Sequence, residues 1–335
     1  MYKTYFGLQE RPFSITPDPR YLYPSPQHQE ALGHLQYGIG ENSGFALLTG
    51  EVGTGKTTVI RSLVEQLPSD IKVALITNPK LSAVELVASI CDELTIPYPP
   101  ETRSLKTLID LLNHYLVEQH QQGNHCVVII DEAQNLSRES LEQIRLLTNI
   151  ETHHEKLLRI ILVGQPELRQ LLQRHDLRQL AQRITARYHL SMLNADQTRA
   201  YIGHRLAVAG ANANLFSEGA VSRVYRLTGG VPRLINALCD RALLGAYSEE
   251  LTGVTPRIVG RASKELFHGR SENPWPKAVA VAGLLMLAIA ALIASLTLRT
   301  SDSGAIADHP PGQINPEQIN PEQITPGQIN RSGAE

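Results

Sequence analysis

Gly44-Phe-Ala-Leu-Leu-Thr-Gly50-Glu51-Val52-Gly53-Thr54-Gly55-Lys56-Thr57-Thr58 joins a short apolar run to a glycine-rich loop and then to a helix-forming stretch. Phe45–Thr49 predicts a buried strand, and Lys56–Leu67, stopped by Pro68, predicts a helix. The intervening Gly-x4-Gly-Lys-Thr pattern is that of a phosphate-binding loop, and its place between strand and helix is the context that pattern requires. The glycines permit a turn whose backbone N–H groups converge on phosphate oxygens, helped by the positive end of the following helix. Every residue from Gly50 to Thr58 is therefore an expected nucleotide contact, with ATP and Mg²⁺ the expected ligands. Lys56 supplies a point charge to the β- and γ-phosphates, and the Thr57 hydroxyl is an expected Mg²⁺ ligand.

Outward from the loop, apolar strands alternate with helical patterns. Strands are expected at Val73–Thr77, Val127–Asp131, Arg159–Gly164 and Arg187–Leu190. Helices are expected over Ala83–Leu94, Leu105–Gln121 and Arg138–Ile150. Such alternation predicts an α/β fold with a parallel sheet covered by helices on both faces. After Asn194 the strands stop. Helical patterns over Asp196–Ala209, Ser217–Leu227, Pro232–Tyr247 and Thr255–Phe267 predict an all-helical lid. The expected organisation is an aromatic N-terminal strap and first helix (1–43), an ATPase core (44–194) and the lid (195–268).

Asp131 and Glu132 end the apolar run Val127-Val-Ile-Ile. A carboxylate there can face Mg²⁺ held at the loop, which makes Asp131 the second expected metal ligand and Glu132 the base for the attacking water. Gln165, just beyond the fourth strand, is placed to sense the γ-phosphate. Arg183 and Arg187 are candidates for an arginine reaching a neighbouring subunit's nucleotide, where a cation stabilises charge on the transferred phosphoryl group. Arg233, in Gly229-Gly-Val-Pro-Arg233 at a helix start, is a candidate γ-phosphate sensor that couples nucleotide state to lid angle.

Composition narrows the class. With 31 basic and 33 acidic residues the chain is nearly neutral, yet residues 155–270 hold 17 Lys and Arg against 9 Asp and Glu. Cys91, Cys126 and Cys239 are too scattered for a zinc site or a disulfide framework, which fits a reducing compartment. The twelve histidines, His153-His154 included, show no metal-ligand spacing. The first 23 residues interleave prolines with Tyr2, Tyr5, Phe6, Phe13, Tyr21 and Tyr23, so an irregular strap pinned by its rings is expected. Residues 278–298 carry no charge and span about 30 Å as a helix, enough to cross a bilayer. Arg261, Lys264, Arg270 and Lys277 precede that segment and only Arg299 closely follows it. The expected topology is a single-pass inner-membrane protein with a cytoplasmic ATPase and a periplasmic tail. The tail, 299–335, repeats Gln-Ile-Asn/Thr-Pro every five residues and is expected to be a disordered spacer.

The loop, Asp131-Glu132, Gln165, the arginines and Gly-Val-Pro-Arg233 together resemble the AAA+ ATPases. Tyr5-Phe-Gly-Leu-x-x-x-Pro-Phe13-Ser-Ile-Thr-Pro-Asp-Pro, Tyr21-Leu-Tyr-x-Ser and Gly44–Thr58 narrow the resemblance to the general secretion pathway protein A family, ExeA type. That resemblance implies an ATPase anchored in the bacterial inner membrane, oligomeric on ATP binding. It would act with a partner membrane protein to assemble an outer-membrane secretin, or serve a pilus or export system. Family members often carry a periplasmic peptidoglycan-binding domain; none is expected in 299–335. The competing reading is a nucleic-acid-binding switch ATPase of the transposition-helper or origin-binding type. The basic segment favours it, and the lack of room for a recognition domain before residue 278 speaks against it.

Overall fold

The computed structural model describes residues 2–267 apart from 17, 41–43, 153–154 and 212–214. A one-turn helix α1 (Tyr2–Tyr5) and a 3-10 turn (Pro19–Tyr21) precede α2 (Pro26–Ile39). Then come β1 (Phe45–Gly50), α3 (Lys56–Gln66), β2 (Ile71–Ile76), α4 (Ala83–Glu93), α5 (Leu105–Gln121) and β3 (His125–Ile130). A 3-10 turn (Ala133–Asn135) leads to α6 (Arg138–Leu147), β4 (Leu158–Gly164), α7 (Pro166–Leu172), α8 (Arg178–Arg183) and β5 (Ala186–Leu190). Four further helices follow: α9 (Ala195–Val208), α10 (Glu218–Thr228), α11 (Pro232–Ser248) and α12 (Pro256–Phe267).

Local chemistry sets most helix starts. Ser25, Ser82, Ser104, Ser137, Asn194 and Ser217 each accept a backbone N–H three residues on, capping α2, α4, α5, α6, α9 and α10. The five strands pair in parallel in the order β2-β3-β4-β1-β5. Leu47 of β1 stands opposite Leu162 and Arg187, and Ile129 of β3 opposite Leu75 and Ile161. Because β1, β3 and β4 are covered on both faces, they read as continuous apolar runs rather than alternating ones. On one face Leu47, Val128, Ile130 and Leu162 pack with α4–α8; on the other Ala46, Leu48, Val127 and Ile161 pack with α2 and α3. The expected strands and long helices are present with ends shifted by one to three residues. The short helices α7 and α8 were not expected.

The lid has its own core, and the strap belongs to it. Tyr2, Leu8 and Phe13 are buried with Leu206, Val224, Leu238 and Val259 of the lid helices. Phe13 meets Phe216 edge to face at 5.8 Å, and Tyr2 hydrogen-bonds Asp240. The strap is therefore pinned by its rings, as expected, but onto helices two hundred residues away rather than onto the sheet.

Among the described residues no helix is long and apolar enough to cross a membrane. The segment 278–298, the repeats of 299–335 and His153-His154 lie outside the described residues.

Candidate nucleotide site

The loop is built by close backbone approach. β1 delivers Gly50 beside β5, where a Cβ would come within 2.7 Å of the Leu190 carbonyl. The Thr54 amide and hydroxyl both donate to the Glu51 carbonyl, at 3.3 and 2.9 Å, and close the turn. Gly53 and Gly55 take left-handed backbone angles, φ +83° and +105°. Gly55 caps α3 and offers no side chain to its first N–H groups, unlike the Ser and Asn caps elsewhere. Those donors are left for a ligand at the positive end of the helix. The buried Lys56 ammonium donates to the carbonyls of Gly50 (2.8 Å) and Glu51 (3.1 Å). Burial pushes its pKa down, against the pull of Glu132, Asp131, Glu51 and Glu167.

β3 lies two places from β1 in the sheet, and the residue after its end meets α3. The Thr57 hydroxyl donates to Asp131 Oδ2 at 2.9 Å, while Asp131 Oδ1 accepts the Glu132 amide at 2.9 Å. A hydroxyl and a carboxylate are hard oxygen donors of the kind Mg²⁺ takes, with phosphate and water completing its shell. The donor set fits that ion, and Thr57 and Asp131 would hold it. Glu132 sits in the left-handed region at φ +53°, uncommon for a residue with a Cβ. Its Oε2 accepts Nε2–H bonds from Gln134 (2.6 Å) and Gln165 (3.2 Å), and the Gln165 amide donates to Gln134 Oε1 at 3.0 Å. Gln165 thus lies against the candidate base. Gln134 was missed in the sequence, although its place two residues after Glu132 keeps it within reach.

The cleft beside the loop encloses about 320 Å³, with walls from the strap, α2 and the lid. Val52 to Thr58, Glu132 and Arg233 line it. Arg233 touches the loop directly: its amide donates to the Gly53 carbonyl at 3.1 Å, and a Cβ on Gly53 would lie 2.6 Å from the Arg233 Cβ. Gly230, φ +78°, lets the turn before α11 pack against the segment leading into α9, since a Cβ there would strike the Leu193 carbonyl at 1.8 Å. From α9, the buried Arg205 donates to the carbonyls of Pro12 and Ser14 and to the Tyr201 hydroxyl, and stacks 4.5 Å from the Tyr21 ring. Sequence reading did not single out Arg205.

Neither candidate trans arginine reaches this cleft. Arg183 bonds the Arg145 carbonyl at 3.0 Å and the Thr148 hydroxyl, so its guanidinium fastens the C-terminal end of α6 within its own chain. Arg187 is exposed on the edge strand β5, bonds the Ala181 carbonyl, and lines a separate cavity of about 360 Å³ with Arg169 and Arg178.

Residues 39–172, the stretch holding the loop, Asp131, Glu132 and Gln165, match the family described as AAA domain. The chain carries an AAA domain. Over 290 residues it is 49% identical to General secretion pathway protein A of Aeromonas hydrophila. That match covers 86% of this chain and 53% of the relative, so the chain spans about half the relative's length. In fold it is similar to Cdc6p of Pyrobaculum aerophilum (TM-score 0.60, 21% identity, 75% of this chain and 72% of that one). It is also similar to ORC2 of Aeropyrum pernix (0.60, 17%, 77% and 72%). A Walker-type ATPase of Pyrococcus abyssi aligns at 0.54 with 17% identity, over 82% of this chain and 79% of that one. At such identities these structures speak for the AAA fold alone.

Proposed function

We propose that the chain is a membrane-anchored AAA ATPase whose ATP cycle drives assembly of an envelope secretion, pilus or export machine. It would act as a ring or higher oligomer with an inner-membrane partner protein. The observation that carries this reading is the 49% identity with General secretion pathway protein A. A 290-residue match within 335 residues necessarily takes in the loop, Asp131-Glu132 and Arg233 together. The chemistry follows from the site. Lys56 and the uncapped N–H groups of α3 bind the phosphates. Thr57 and Asp131 would hold Mg²⁺, which neutralises phosphate charge when bound. Glu132 takes the proton of the attacking water. Gln165, bonded to Glu132, and Arg233, at the loop, report the γ-phosphate to the base and to the lid. Residues 278–298 supply the anchor.

The test is fractionation and pull-down with the full chain. Glu132→Gln, held in ATP, should retain an inner-membrane partner that is lost in ADP, and deletion of 278–298 should move the protein to the soluble fraction. A full chain found in the soluble fraction, or nucleotide-dependent and salt-sensitive DNA binding without a membrane partner, would favour the nucleic-acid switch instead.

A further inference from the structure

His28 lies on the first turn of α2, far in sequence from the phosphate loop, and is 5% exposed. Its ring is held from both ends. Nδ1 lies 2.6 Å from the hydroxyl of Ser25, the wholly buried cap residue of α2, and Ser25 Oγ also accepts the His28 amide at 3.3 Å. At the other end the ring lies against the Thr54 backbone, which acts on it in the sense that favours a protonated ring nitrogen. That sense makes the ring the donor and the Thr54 carbonyl the acceptor. The nitrogen concerned is Nε2, which sits 3.1 Å from where a Cβ on Gly55 would stand. The neutral tautomer that suits both contacts has its proton on Nε2 and accepts the Ser25 O–H at Nδ1.

We infer that His28 is a positioning residue for the phosphate loop, fixing the Thr54–Gly55 peptide so that its N–H faces the phosphate. A trans peptide points its C=O and N–H in opposite directions. Tying the Thr54 carbonyl to His28 on one side of the loop turns the Gly55 amide to the other side. Glycines at 53 and 55, both at positive φ, leave this peptide easy to flip, because glycine has no steric preference to hold it. The loop's own bonds, Thr54 to Glu51, restrain the amide and hydroxyl of Thr54 but not its carbonyl. The imidazole supplies that missing restraint. It also occupies the space that only a glycine at 55 leaves open. Ser25 in turn orients the ring, and follows directly on the strap, whose Tyr23 packs against Tyr201 and His204 of the lid. The inference concerns nucleotide binding and does not depend on which machine the ATPase serves.

Two near-isosteric substitutions separate the role from simple packing. In His28→Gln the side-chain amide nitrogen falls where Nε2 was and can still donate to Thr54. In His28→Asn it falls where Nδ1 was and cannot. With the full chain and ATP or ADP as the probe, His28→Gln should keep its ADP dissociation constant within about threefold of the parent. His28→Asn should lose about tenfold, the size of one hydrogen bond, with KM for ATP raised alike and kcat nearly unchanged. His28→Phe, which keeps volume without a donor, should behave like the Asn variant if it folds. Equal ADP affinity in the Gln and Asn variants, or a loss confined to kcat, would overturn the inference. A parent that binds no nucleotide would instead count against the ATPase itself.

Discussion

Glu132 is held in a left-handed backbone conformation that costs about 1–3 kcal/mol and persists only where the surroundings impose it. The surroundings here are Asp131, which takes its amide, and the two glutamines that take its carboxylate. Glu132→Gln should therefore keep ATP affinity and lower kcat by at least about 100-fold, the usual weight of a positioned base; equal turnover would remove Glu132 from that role. Gln134→Leu should lower kcat about tenfold with KM unchanged, read from turnover over a range of ATP concentrations. The loop and Asp131-Glu132 were legible in the sequence because their geometry is local, a strand end and a turn. The contacts of Arg183 were not, since it reaches Arg145 and Thr148 at the end of α6 only when α6 packs on α8. His28 carries a pH signature. Burial lowers its pKa below the ordinary imidazole value, so its neutral form is the one the fold prefers. The stability this contributes is present above the unfolded pKa and is lost as pH falls through the lowered folded value. Chemical denaturation of the parent between pH 7 and 5 should show that loss, and His28→Gln should show less of it.

Among the elements, the strap depends most on distant parts of the chain. Its aromatic and proline content announced an irregular segment with rings to bury, yet nothing local says where they go. Phe13→Ala should destabilise the protein by about 3–5 kcal/mol, read as a shifted urea midpoint, because it empties the lid core rather than a loop. An effect under about 1 kcal/mol would mean the strap is only loosely attached. The lid helix did leave a trace in the sequence. Thr198, Tyr201, Ile202, Arg205 and Leu206 are the buried residues of α9, spaced as one helical face, and an arginine on such a face calls for buried acceptors. Those acceptors are the Pro12 and Ser14 carbonyls. Arg205→Leu leaves them without that donor and should lower stability by about 1–3 kcal/mol. The sheet was legible for the opposite reason: strands buried on both faces advertise themselves as apolar runs, whatever their neighbours are.

For the whole molecule, the expectation is turnover per subunit that rises with protein concentration, as a site completed by a neighbour requires. Arg187, exposed on the edge strand, is the better placed of the two candidates. Arg187→Ala should lower turnover by about 1,000-fold without loss of ATP affinity, whereas Arg183→Ala should act mainly by lowering Tm. Concentration-independent turnover would leave the ATPase and remove the ring. The lid core is made from both ends of the described chain, with the sheet domain inserted between them. The polypeptide thus crosses from lid to sheet twice, once between Tyr23 and α2 and once between Leu190 and Leu193. A domain tethered at one point can swivel in any direction. A domain tethered at two loses most of those directions and favours a swing about the line joining them, as a door does, so any lid movement coupled to nucleotide would be biased toward that arc.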